Sequence, residues 1–99
     1  MNHSQTFLSE TAKIAKLVDT KKIEKMVKRL VTVRKRKGRL FVIGVGGSAA
    51  NASHMANDIG LDVLKKSGTQ KPFRVHSLTD NVPVLTAIGN DDGYDNLFL

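Results

Sequence analysis

Cysteine and tryptophan are absent from the 99 residues, prolines number 2, and the aromatic residues are Phe 4 and Tyr 1. Without cysteine there is no disulfide framework and no thiolate-ligated zinc or iron–sulfur centre. No apolar run approaches the ~20 residues a membrane span requires, so a membrane is not an expected partner. No basic start leads into an apolar stretch of the kind that marks a secretory leader. A cytoplasmic protein is the expectation. Acids are also scarce, 9 against 16 Lys plus Arg, a formal charge of +7. What is present is an apolar fraction of 40%, enough for a core and too much for a disordered chain. The length allows one domain or a piece of one.

The charge is not spread evenly. Residues 1–39 hold 12 Lys/Arg against Glu10, Asp19 and Glu24, a balance of +9. Residues 40–99 hold Lys65, Lys66, Lys71 and Arg74 against six Asp, a balance of −2. The basicity belongs to Lys21–Arg39. Cations clustered on a helix can neutralise phosphates. Here no aromatics are interleaved for base stacking, and no helix-turn-helix or finger pattern is present. The segment therefore reads as a solvated helix face with cations near its C-terminal end, and nucleic acid is not an expected partner.

Spacing predicts a helix over residues 4–18, with Phe7, Leu8, Ile14, Leu17 and Val18 near one face and Ser4 as its N-cap. Asp19 or Thr20 caps a second helix, where Ile23, Met26, Val27, Leu30 and Val31 repeat as a buried stripe does. Gly38 is expected to end it as a C-terminal cap. Leu40-Phe41-Val42-Ile43 is a continuous apolar run, which suits a parallel strand covered on both faces. Gly44-Val45-Gly46-Gly47-Ser48 follows, and then a helix from Ala49 to Lys66 with Ala52, Met55, Ala56, Ile59 and Val63 on one face. Phe73–Leu78 alternates like a second strand. Thr79-Asp80-Asn81 is a turn and helix cap, Val82–Ile88 a short helix with Pro83 in its first turn, and Gly89–Gly93 a polar loop. Tyr94–Leu99 looks like the start of another helix.

The order helix, helix, strand, glycine loop, helix, strand, helix is a βαβ unit with a helical preface, the pattern of an α/β domain. Two parallel strands do not make a stable sheet alone. The chain is therefore expected to be the N-terminal portion of a larger domain, divided into a helical segment 1–38 and an incomplete α/β part 39–99.

Three glycines in four positions between a buried strand and a helix call for a ligand more than for a plain turn. Glycine lets a ligand approach the backbone, and a helix N-terminus offers unpaired N–H groups. Ligands gather at the carboxyl ends of parallel strands. No Gly-Lys-Ser/Thr follows, which excludes a nucleotide P-loop. Gly44, Gly46 and Ala49 match a loose dinucleotide pattern, but no ribose-binding acid follows at the expected spacing, and no nucleotide cofactor is expected. His54 and Asp58, at i and i+4, share a helix face. Such a pair supplies half of a divalent-metal site or an acid/base couple, or simply shares a surface hydrogen bond.

Gly44-Val45-Gly46-Gly47-Ser48-Ala49-Ala50-Asn51-Ala52-Ser53-His54 resembles the G-N-G-G-S-A-x-x-x-x-H stretch of sugar isomerase (SIS) domains, closest to the phosphoheptose isomerases. Leu85-Thr86-Ala87-Ile88-Gly89-Asn90-Asp91-Asp92-Gly93-Tyr94 resembles that family's L-T-A-I-G-N-D-x-G-[FY] segment. The resemblance runs from about Leu40 to Phe98. It implies a flavodoxin-like three-layer sandwich with a parallel sheet, roughly twice this length. It also implies a homo-oligomer, usually a tetramer, in which segment 1–38 carries subunit contacts.

The implied activity is aldose–ketose isomerisation of a phosphorylated sugar through an enediol, sedoheptulose 7-phosphate to D-glycero-D-manno-heptose 7-phosphate. Carried onto this chain, the sugar-phosphate contacts fall on Val45, Gly46 and Gly47, with Ser48 beside them, and on Asn90 and Asp91. The first zinc-binding histidine falls on His54. The glutamate that serves as zinc ligand, substrate contact and proton-transfer base falls on Asp58. Two residues depart from the pattern. Val45 stands where the family has Asn, and Asp58 is one methylene shorter than Glu. The family's Ser/Thr-rich phosphate loop and its later Gln and His would lie beyond Leu99, so the expectation is a catalytically incomplete chain. The alternative is a non-catalytic SIS module that binds a phosphosugar or acts as an adaptor.

Overall fold

The structure, a computed structural model, describes residues 1–68 and 72–99, without the side chains of residues 62–64. The chain divides into two compact units, Met1–Leu30 and Val31–Leu99.

The first unit is helical. Helix α1 spans His3–Leu17 and helix α2 begins at Thr20 and runs on to Lys35 in the second unit. The N-cap of α1 is Asn2, not Ser4. Asn2 Oδ1 accepts from the Gln5 amide at 2.9 Å, and Gln5 Oε1 accepts from the Asn2 amide at 2.9 Å, a reciprocal capping box that Ser4 has no partner to make. The Asp19 carboxylate caps α2, taking the Lys21 amide at 3.0 Å and the Lys22 amide at 3.3 Å. The apolar stripe of α2 is not buried: Ile23, Met26 and Val27 are exposed, and Leu30 and Val31 half-buried.

At the C-terminal end of α2 the left-handed residue is Lys37, at φ 58°, not Gly38. The Gly38 amide reaches the Val33 carbonyl at 2.8 Å and the Lys37 amide the Arg34 carbonyl at 3.0 Å. This is a Schellman motif set one residue earlier than the glycine suggests, with a lysine in the strained position.

In the second unit β1 (Arg39–Val42) pairs in parallel with β2 (Arg74–Ser77), register Leu40 to Val75 and Val42 to Ser77. Between them run α3 (Gly47–Asn57), one π-helical turn (Asp58–Asp62) and α4 (Val63–Ser67). The long helix expected from Ala49 to Lys66 is thus interrupted, and Gly60, poor at holding a regular helix, sits inside the interruption. The Val63 side chain lies outside the described residues.

Helix α3 packs on the sheet face that carries Leu40, Val42, Val75 and Ser77. Ala52 of α3 and Ser77 of β2 are the buried residues among those described, 4% and 7% exposed. Ser77 meets its polar requirement through Ser53, their hydroxyls 3.3 Å apart. The opposite face, with Arg39, Phe41, Arg74 and His76, is exposed among the described residues.

After β2, Asn81 caps α5 (Val82–Asp91), its Oδ1 accepting the Val84 amide at 3.1 Å. Pro83 lies in the first turn, as expected. Helix α5 continues to Asp91, so Gly89, Asn90 and Asp91 are helical and not loop; a 3-10 turn, Tyr94–Asn96, follows where a new helix was expected. The elements are those of a partial α/β domain.

Two stability outcomes follow. Asn81→Ala is expected to cost about 1 kcal/mol through the lost cap, read as a lowered urea midpoint. Lys37→Gly removes the left-handed strain and is expected to stabilise by about 0.5–1 kcal/mol, read as a raised Tm.

Candidate functional site

The bend after β1 is set by one steric fact. A Cβ on Gly44 would collide with the Ser48 carbonyl and the Ala49 amide nitrogen, so only glycine lets the backbone fold back so closely. Ser48 then braces the bend. Its Oγ accepts the Val45 amide at 2.8 Å and donates to the Val45 carbonyl at 3.0 Å. The Ser48 amide reaches Val45 O at 3.2 Å, and the Ala49 amide reaches Gly46 O at 3.1 Å.

Gly46 and Gly47 behave differently from Gly44. Gly46 has φ 59°, and a Cβ added at either position meets nothing within 4 Å. Among the described residues no hydrogen bond uses their amides. The crest of the bend is thus open, bears two free N–H groups, and stands at the positive end of α3. Val45 beside it is 74% exposed.

Further along α3, about 10 Å from Gly47 at the helical rise, His54 Nε2 lies 3.3 Å from Asp58 Oδ1, their side chains 74% and 49% exposed. Asp58 is the first residue of the π-helical turn, and its amide reaches the carbonyls of His54 and Met55. π-Turns recur at functional sites because they shift side chains off the regular helical register. Among the described residues no group of three His, Cys, Asp or Glu comes together. The pair supplies one nitrogen and one carboxylate where tetrahedral zinc needs four donors, so it fits half of such a site.

The structure brings Val45, Gly46, Gly47 and Ser48 onto one loop, and His54 and Asp58 onto the helix that loop begins. Asn90 and Asp91 come from a different element. These lie in the last turn of α5, Asn90 Nδ2 donating to Asp91 Oδ1 at 3.1 Å, and α5 packs on the 3-10 turn. Sequence reasoning missed the Ser53–Ser77 bridge that anchors α3 next to His54; two serines 24 residues apart carry no periodic signal.

Among the proteins the chain is similar to are phosphoheptose isomerases. The protein of Aliarcobacter butzleri is 37% identical over 98 residues, covering 93% of this chain and 48% of the relative. That of Syntrophotalea carbinolica is 31% identical over 98 residues, 95% of this chain and 48% of the relative. A probable phosphoheptose isomerase of Thermoplasma volcanium is 36% identical over 86 residues, 87% and 42%. The chain is phosphoheptose isomerase-like, of the sugar isomerase (SIS) family. No family model matches it. The chain spans less than half the length of these relatives. No described helix of this SIS-family chain is long and apolar enough to cross a membrane.

Gly47→Ala separates folding from ligand approach. A Cβ there has open space and the position is helical, so Tm is expected to hold or rise. The same Cβ takes up part of the open space at the crest, so affinity of the crest for inorganic phosphate, measured by calorimetry, is expected to fall. Gly44→Ala is expected to lower Tm sharply, with a cost of about 1–3 kcal/mol or more.

Proposed function

We propose that the chain is part of a phosphosugar isomerase of the phosphoheptose type, acting on sedoheptulose 7-phosphate. The observation that carries this reading is the succession, on one βα unit, of an open glycine crest with free amides and a His54–Asp58 pair on the helix it begins. The relatives' names support the same class of substrate.

In this reading the amides of Gly46 and Gly47 and the positive end of α3 hold anionic and hydroxyl oxygens of the sugar phosphate. The Asp58 carboxylate takes a proton from C1 of the ketose as the C1–C2 double bond forms and O2 gains a proton. The enediol then loses its O1 proton as the C1 carbonyl forms, and C2 receives a proton, leaving the aldose. No oxidant or reductant is consumed. His54 holds Asp58 in place through the 3.3 Å contact. A zinc ion bound by His54 and Asp58, with further donors from elsewhere in the assembly, would polarise the carbonyl oxygen. Asn90 and Asp91 would reach the sugar from α5, and Ser48 keeps the crest open. The full domain would be a flavodoxin-like sandwich, and α1 and α2, whose apolar residues are exposed, would carry subunit contacts of a tetramer.

A second reading, a phosphosugar-binding SIS module without turnover, is favoured by Val45, which puts an exposed apolar side chain at the crest where an amide is usual.

The test uses the protein that carries this sequence at the length of its relatives, incubated with sedoheptulose 7-phosphate with and without zinc, the aldose product being followed by NMR. Turnover is expected, and Asp58→Asn is expected to lower kcat by 100-fold or more with sugar-phosphate binding retained. Binding without turnover in the unaltered protein would establish the second reading, and neither would discard both.

A further inference from the structure

The inner face of α3 carries Ala49, Ala52, Ser53 and Ala56, which share one side of the helix and are buried or half-buried. Three of the four are alanines. Methyl groups fill space without direction, so they resist little when a helix turns or slides on a sheet. Ser53 is the member of the face that supplies direction. Its hydroxyl lies 3.3 Å from that of Ser77, and among the described residues no other side-chain hydrogen bond joins α3 to the sheet. Ser77 ends β2 and pairs with Val42, which ends β1, so the bond stands at the carboxyl end of the sheet, where the glycine crest also lies. The contact is between α3 and β2 themselves, so whatever covers the other face of the sheet leaves it in place. The residue after Ser53 is His54.

We propose that Ser53 and Ser77 are positioning residues for the isomerisation: their hydrogen bond sets how α3 is turned against the sheet, and so where His54 and Asp58 stand relative to groups carried by other elements. The inference rests on the isomerase reading. The Gly44 bend fixes where α3 begins, and the serine pair fixes it a second time, nearly two turns further on. Two fixed points set a helix's direction and its rotation. His54 and Asp58 keep their own 3.3 Å contact whatever α3 does, because both ride on it. What the serine pair sets is their distance to the substrate carbons and to anything that α5 or another element brings. A side-chain tip about 6 Å from a helix axis moves about 2 Å when the helix turns by about 20°. A misplacement of about 1 Å can cost about 100-fold in rate. Ser53→Ala also leaves the Ser77 hydroxyl buried without a partner, and a turn of α3 that lets water in relieves it.

The experiment makes Ser53→Ala, Ser77→Ala, the double variant and Ser53→Thr in the protein that carries this sequence at the length of its relatives. Turnover of sedoheptulose 7-phosphate is measured on the folded fraction, and crystal structures of the parent and of Ser53→Ala are compared. Each alanine variant is expected to lower kcat about 10- to 100-fold with KM within about twofold, since the crest that grips the phosphate is set by Gly44 and not by the serines. The double variant is expected to fall no further than the worse single, because both remove one bond. Ser53→Thr keeps the hydroxyl and is expected to restore kcat. With β1 and β2 superposed, His54 is expected to shift by about 1 Å or more in Ser53→Ala. An unchanged kcat in the single variants overturns the proposal, as does a loss that multiplies in the double variant. A lowered Tm with kcat intact overturns it too, leaving the pair a purely structural role. A parent without turnover removes the isomerase reading, and the crystal structures then decide alone: a His54 that stays in place overturns the positioning role, and a displaced one upholds it.

Discussion

The reversal of the backbone between β1 and α3 is the constraint on which the rest of the second unit depends. Gly44 is pressed so closely on the Ser48 carbonyl and the Ala49 amide that no side chain fits there. That closeness starts α3 immediately after the strand, turns its positive end to the carboxyl side of the sheet, and leaves Gly46 and Gly47 at an open crest. Ser48 holds the arrangement through two hydrogen bonds to Val45. The three glycines therefore do different work. Gly44 serves packing, and the other two keep space clear.

From that start, the position of His54 and Asp58 is a matter of helical rise and of how α3 is fixed to the sheet. Ala52 allows close approach, and the Ser53–Ser77 hydrogen bond links the helix to the end of β2. A hydroxyl pair at a buried contact fixes orientation in a way that apolar packing alone does not, because its geometry is directional. The π-helical turn that begins at Asp58 then departs from the regular spiral, and Gly60 accommodates it.

Large parts of this were legible from local chemistry. The cap at Asn81, Pro83 in the first turn of α5, the cap at Asp19 and the parallel strands around a glycine bend all follow from short-range rules, and the structure has them. The failures share a cause. Asn2 displaced Ser4 as a cap because Gln5 completes a reciprocal box with it. Lys37 took the left-handed position ahead of Gly38 because the Schellman hydrogen bonds donated to the Val33 and Arg34 carbonyls set the register. Helix α5 ran through Gly89 to Asp91 because glycine weakens a helix without ending it. In the first two cases the residue with the stronger intrinsic preference lost to hydrogen bonds made within a few positions of it.

The sequence by itself determined the elements, the glycine bend and the i, i+4 pairing of His54 with Asp58, since each depends on residues within a few positions of one another. Only tertiary structure decided which sheet face is covered. It also decided that Ser77 is buried against Ser53 and that Phe41 meets His76 on the rung next to two arginines. Those outcomes depend on strand register and on helix placement, which bring together residues tens of positions apart, and no local pattern encodes a partner at that separation.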